Sequence, residues 1–330
     1  QKQEKNLNLQ NINKIFMSTK INKIAVIGTG VIGTGWIIRM LAHNKKVTAF
    51  DLNIRQKKFL IKEIKRSIPF VKKLFKKKII NLKNLNFKTS LIETVKDADF
   101  IQESATENYK LKTKLISEIG RYSKSSAIIS SSSSGLLPSI IFSKCKNPNR
   151  GIIGHPFNPV YMLPAVEIVP GKKTSKSILK KATDFYKSIS MNPIAVKKEL
   201  PGYLADRLQE ALWREGLHII NEGYATTKDL DRVIEDGPGL RWSLMGTFLT
   251  FHLAGGKSGM KHMLEQFGPA LKLPWTKLKA PNLSKKLIKK LVNGTKKQSK
   301  GKSVGKISNI RDEYLLDLLL MRKKYEKKLR

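Results

Sequence analysis

The chain has 330 residues, 40% of them hydrophobic, which is enough for two domains with packed cores and argues against wholesale disorder. Its net charge is +39, carried by 52 Lys and only 12 Arg; Lys, Ile and Asn are frequent together, which points to codon drift rather than to phosphate reading, a task that favours Arg. One cysteine, Cys145, excludes an internal disulfide scaffold and a Cys-based zinc cluster and fits a reducing cytoplasm, and no run of 18 apolar residues is present to span a membrane.

In chain order, residues 1–20 are Lys/Asn/Gln-rich and are expected to be a disordered extension. Lys23–Gly28 reads as a buried strand, Val31–His43 as a helix and Val47–Asp51 as a second strand, together the size of a strand–helix–strand crossover. A lysine-rich helix is expected over Arg55–Lys83. Short apolar runs at Phe100–Glu103, Ala127–Ser130, Ile152–His155, Val166–Val169 and Ile194–Lys197 read as further strands covered on both faces. Beyond Pro201-Gly202 the period becomes helical, with Leu204, Leu208, Leu212 and Ile219 on one stripe. Helices are expected over Ala205–Asn221, from Asp229 with Thr227 as N-cap, over Gly246–Leu253 and over Met260–Phe267. The expected architecture is an α/β Rossmann-type dinucleotide-binding domain over 21–200, an all-α domain over 201–295, and a basic helical tail over 296–330.

The charge is uneven. Residues 55–88 hold 13 basic and 1 acidic residues, and residues 283–330 hold 16 and 4, whereas residues 199–282 hold 10 of each. The excess lies in what read as solvated helices, and one internal segment is held neutral. A basic nucleic-acid-binding protein is the rival from another class; it predicts steeply salt-dependent binding to DNA or RNA.

Gly28-Thr29-Gly30-Val31-Ile32-Gly33 is a G-x-G-x-x-G between a strand and a helix, and Asp51 ends the next strand 18 residues after the third glycine. That context is the dinucleotide fingerprint, with the pyrophosphate at the helix N-terminus. An acid at position 51 accepts from the ribose hydroxyls and repels a 2′-phosphate, so NAD is expected; Arg55 leaves NADP as the lesser alternative. Ser130–Ser134 is a five-serine run at a strand end, where ligands of such sheets bind. Gly154-His155-Pro156-Phe157-Asn158-Pro159 places a histidine at another strand end, with Glu167 12 residues on in the next strand. A carboxylate on one imidazole nitrogen fixes the tautomer and leaves the other to take a proton, the arrangement that alcohol oxidation beside a nicotinamide needs. The five histidines show no metal-ligand spacing, and no metal is expected.

These motifs, in this order, resemble the 3-hydroxyacyl-CoA dehydrogenase superfamily from Lys23 to about Thr295. The resemblance implies Ser134 as active-site serine, His155 as catalytic base with Glu167 as its partner, Asn158 near the nicotinamide, and Glu107 and Lys112 near the cofactor. Within the superfamily, residues 206–215, 239–248 and 267–276 resemble the L-carnitine dehydrogenase branch; L-gulonate 3-dehydrogenases and 3-hydroxyacyl-CoA dehydrogenases are the alternatives. Many relatives carry Asn where this chain has Asp206, and an ionised Asp only accepts hydrogen bonds. An anion there suits a quaternary ammonium substrate, which needs aromatic faces and negative charge. Asp206, Glu210 and Trp213 share one helical face. Trp242 and Phe248 add aromatics, and Arg241 is a candidate for a substrate carboxylate. A homodimer with neither a membrane nor a specific nucleic-acid partner is the further expectation.

Overall fold

The computed structural model describes residues 21–77, 80–243, 246–277, 279, 282, 284–298, 300 and 302–329; the extension expected over 1–20 lies outside them. The chain divides into two compact units, the first ending at Leu204 and the second starting at Ala205.

The first unit is built on one sheet of eight strands: β1 Lys23–Ile27, β2 Lys46–Phe50, β3 Leu85–Lys88, β4 Phe100–Glu103, β5 Ile128–Ser131, β6 Gly151–Pro156, β7 Ala165–Pro170 and β8 Asn192–Ala195. Their order is β3-β2-β1-β4-β5-β6-β7-β8. All pairs are parallel except β6–β7. The central strands are short apolar runs because helices cover both faces: β4, β5 and β6 are buried at every residue. The order reverses between β1 and β4, which opens a crevice at their carboxyl ends.

Helix α1 (Val31–Ala42) is buried from Gly33 onward and crosses from β1 to β2. Helix α2 (Gln56–Leu74) buries only Leu60, Ile64, Ser67, Val71 and Leu74, a single stripe, and turns its lysines outward. It ends well short of the expected Lys83. Leu74 is the last member of its buried stripe, and Lys76 adopts a left-handed φ of 51° that terminates the turn. Residues 78 and 79 lie outside the described residues, and Leu82–Asn84 is a short 3₁₀ turn. Three more helices cover the sheet, α3 Leu91–Val95, α4 Tyr109–Tyr122 and α5 Pro138–Ile141, before α6 (Lys176–Ser188) returns to β8.

The second unit is helical: α7 Ala205–Glu222, α8 Thr227–Asp236, α9 Pro238–Trp242, α10 Thr247–Ala254, α11 Gly259–Phe267, α12 Lys285–Gln298 and α13 Val304–Leu329. Helix α12 packs on α7 and α8, and α10 packs on α11. The N-cap of α8 is Thr226, not Thr227. Its hydroxyl accepts from the Asp229 N–H while the Asp229 carboxylate accepts from the Thr226 N–H, a reciprocal capping box that only a residue three before Asp229 can close. The stripe read from periodicity is exposed: Leu204, Leu208 and Leu212 are 43%, 75% and 50% accessible, and α7 buries Leu217 and Ile220 instead. No helix among the described residues is long and apolar enough to cross a membrane.

Candidate active site

The cofactor turn is set by backbone contact. Gly28 has φ +92°, and a side chain there would meet the Ser104 carbonyl. A Cβ on Gly33 would lie 1.9 Å from the Gly28 carbonyl oxygen, so helix and turn pack backbone to backbone. A Cβ on Gly30 would meet nothing within 4 Å. Gly30 also caps α1 without any side-chain hydrogen bond, and the first turn carries no acid. The N–H groups of Gly30, Val31 and Ile32 therefore begin the helix beside open space, which fits a dinucleotide pyrophosphate. Asp51 follows β2, where its Oδ2 accepts from the Thr29 N–H and hydroxyl at 3.0 and 2.9 Å and its Oδ1 from the Asn53 N–H at 3.0 Å. It holds the glycine turn at the carboxyl end of β2.

Four of the five serines point inward. Ser130 bonds the Tyr186 hydroxyl, Ser131 donates to Glu103, and Ser133 donates to Glu107. Ser132 accepts from Trp36 Nε1 at 3.0 Å and from Gln102 Nε2 at 2.8 Å. Ser134 alone is exposed, and its N–H donates to Glu107 Oε1 at 2.9 Å. Lys112 is buried. It donates to both oxygens of buried Glu103 at 2.8 and 3.0 Å and lies 3.4 Å from Glu107 Oε2. Lys112 thus pins the serine loop through two carboxylates. Glu103 escapes motif reading, although an acid ending an otherwise apolar strand is the signal that could have found it.

His155 and Glu167 are register partners across the antiparallel β6–β7 pair. Both are buried, and His155 Nδ1 lies 2.8 Å from Glu167 Oε2. An ionised carboxylate only accepts, so Nδ1 donates and the lone pair of the neutral ring is on Nε2. The other Glu167 oxygen, Oε1, accepts from the Leu204 N–H at 2.9 Å. Tyr203 and Phe157 flank the imidazole at ring-centroid distances of 5.7 and 5.3 Å. Asn158 is exposed just past the end of β6. Arg39, also unforeseen, is fully buried on α1 and donates to the carbonyls of Val160, Leu163, Ile189 and Ser190 at 2.7–3.2 Å. Burial lowers its guanidinium pKa to about 9.

Asp206, Trp213, Arg241, Trp242 and Phe248 all belong to the second unit. Asp206 is half-buried in the first turn of α7. Trp213, Trp242 and Phe248 are 58%, 40% and 84% exposed, so none fills a core. Arg241 is exposed on α9, and Glu210 pairs with Arg214 at 3.3 Å on the surface of α7.

An open glycine turn, a carboxylate at the end of β2 and a buried histidine–carboxylate pair in the same sheet define an NAD-dependent dehydrogenase. The chain belongs to the 3-hydroxyacyl-CoA dehydrogenase family: residues 23–200 match its NAD binding domain and residues 202–302 its C-terminal domain. It is 48% identical over 305 residues to an L-carnitine dehydrogenase of Bacillus cereus, covering 92% of this chain and 94% of that one. It is likewise 48% identical over 301 residues to an L-carnitine dehydrogenase of Pseudomonas putida, covering 91% and 94%. Among solved structures, an NAD+-dependent 5-formyl-3-hydroxy-2-methylpyridine 4-carboxylic acid 5-dehydrogenase shares the fold with a TM-score of 0.76 at 21% identity, over 93% of this chain and 99% of that one. An (S)-3-hydroxybutyryl-CoA dehydrogenase from Ralstonia eutropha does so with a TM-score of 0.61 at 24% identity, over 74% and 85%.

Proposed function

We propose that this enzyme oxidises L-carnitine at its 3-hydroxyl to 3-dehydrocarnitine. The observation that carries the reading is the buried His155–Glu167 pair in a chain 48% identical, over 91–92% of its length, to relatives named L-carnitine dehydrogenase. When bound, NAD supplies the hydride acceptor. Gly28, Thr29, Gly30, Val31, Ile32, Gly33 and Asp51 hold it, and Glu107 and Lys112 fix the serine loop beside it. His155 Nε2 takes the hydroxyl proton as the C3 hydride departs and the C=O bond forms, and Glu167 stabilises the resulting imidazolium. Ser134 holds the substrate oxygen, and Asn158 helps set the nicotinamide in register.

In the second unit, Asp206 and the faces of Trp213, Trp242 and Phe248 are the groups for the trimethylammonium, and Arg241 is the group for the carboxylate. The exposure of these aromatics supports a binding rather than a packing role. Helix α10 buries none of its residues and, besides Phe248, exposes Leu249, Phe251 and Leu253, the face left for a partner. Such a face supports a homodimer, and Phe251→Glu should reduce the sedimenting mass to that of a monomer. NAD as co-substrate and one buried cysteine support residence in the cytoplasm.

The deciding measurement is NADH formation with L-carnitine, D-carnitine, L-gulonate and 3-hydroxybutyryl-CoA. Turnover confined to L-carnitine is expected, and preference for either of the last two overturns the substrate assignment. KM for L-carnitine should rise in Trp213→Ala, Trp242→Ala and Asp206→Ala; three unchanged values overturn the onium site.

A further inference from the structure

Three consecutive residues at the end of the first unit reach both halves of the site. Gly202 and Tyr203 both adopt left-handed backbone, φ 73° and 43°, and Tyr203 does so without glycine's freedom. The Gly202 N–H donates to the Gly135 carbonyl at 3.4 Å, one residue beyond Ser134. A Cβ on Gly135 would meet the Gly202 backbone at 3.2 Å, so the two segments touch directly. Tyr203 is fully buried, and its hydroxyl donates to the Leu136 carbonyl at 2.6 Å, two residues beyond Ser134. Its ring meets the His155 ring edge-on, at 5.7 Å and 61°. The Leu204 N–H then donates to Glu167 Oε1, the oxygen opposite the one on His155.

Serine loop and histidine–carboxylate pair come from different strands, β5 on one side and β6 and β7 on the other. This strap bridges the two beyond the pairing of the sheet itself. A left-handed tyrosine persists only where its surroundings over-determine it, and here they do so at the candidate site. Burial also holds the phenol well above its ordinary pKa, so it stays a hydrogen-bond donor across the working range.

We propose that Tyr203 is a positioning residue for hydride transfer: its hydroxyl fixes the Leu136 carbonyl, and with it the Ser134 loop, at a set distance from the His155 ring that its own ring packs against. The proposal rests on the assignment of Ser134 and His155 as site residues.

The test is a double-mutant cycle in the full-length enzyme. Tyr203→Phe keeps the ring and removes only the hydroxyl. Rates are divided by the fraction of chains that bind NAD, so that misfolded protein does not count as lost catalysis. Tyr203→Phe should lower kcat by about 10- to 100-fold, as small displacements of a reacting group do, while the NAD Kd stays within about twofold. Because Tyr203 acts through the serine loop, the Ser134→Ala/Tyr203→Phe double variant should be no slower than Ser134→Ala alone. A normalised kcat within twofold of wild type in Tyr203→Phe, or fully multiplicative losses in the double variant, overturns the proposal. If Ser134→Ala and His155→Asn both keep full activity, it is the reading of the site that fails, an outcome separate from the failure of Tyr203.

Discussion

At the scale of single residues, Glu167 shows how one carboxylate serves two purposes. Oε2 orients His155, and Oε1 receives the Leu204 N–H. Glu167→Gln keeps an acceptor for Nδ1 but removes the charge that stabilises an imidazolium. Steady-state assays should show kcat reduced by about 10²–10³ with the NAD KM nearly unchanged. His43 gives a prediction in stability rather than rate. Its Nδ1 bonds the Arg39 carbonyl and its Nε2 the Ser190 hydroxyl, and burial, with smaller effects from Arg39, Lys77 and Lys45, lowers its pKa to about 4. The unfolded chain takes up a proton near the ordinary 6.5 while the folded chain does not, so stability is full above 6.5 and falls as pH drops toward 4. The denaturation midpoint should fall between pH 7 and pH 4.5, and His43→Asn should flatten that slope.

At the scale of elements, the glycine turn separates folding from binding. Gly33→Ala forces a Cβ against the Gly28 carbonyl and should lower the melting temperature and NAD binding together. Gly30→Ala meets no protein atom, so its melting temperature should stay within about 2 °C while NAD affinity drops by about 10-fold or more, because the added methyl stands where the pyrophosphate approaches. Calorimetry and NAD titration on the two variants check both halves. The same elements show what the chain reveals by itself. Strands buried on both faces are continuous apolar runs, so β1, β2, β4 and the His155 and Glu167 strands were legible. The edge strand β3, Leu-Asn-Phe-Lys, is half polar because only one neighbour pairs with it, and it left no such signal. Helices α4 and α6 leave a weak signal although Asn108 and Ser175 cap them, because lysines and other polar residues dilute the apolar stripe of each. The fingerprint and the His–Glu pair were legible because both depend on local spacing. Glu103, Tyr203 and Arg39 were not, because their roles arise only when distant segments meet. The Leu204–Leu212 stripe is periodic yet exposed, since period alone does not say what covers a face.

At the scale of the whole molecule, a charge of +39 coexists with a first unit whose interior is carefully paired. Lys112 sits between Glu103 and Glu107, and Cys145 is buried with its thiol pKa raised by desolvation. Lysine enrichment has accumulated on water-facing helix surfaces such as α2, where a solvated ammonium costs little, and residues 199–282, proposed above to meet a cationic substrate, carry no net charge. Arg39 is a fully buried cation held by four neutral carbonyls. Those carbonyls lie 121 to 151 residues further along the chain. Closing such long loops costs chain entropy, so these contacts are expected to form after the sheet has assembled out to the turn before β8. They should be largely absent from the folding transition state and fully present in the native state. Arg39→Met should therefore leave the refolding rate within about twofold and raise the unfolding rate on the order of 100-fold in denaturant-jump experiments. The residue that holds the first helix to the end of the domain acts as a clasp: it has little influence on how fast the NAD-binding unit assembles and a large one on how long it lasts.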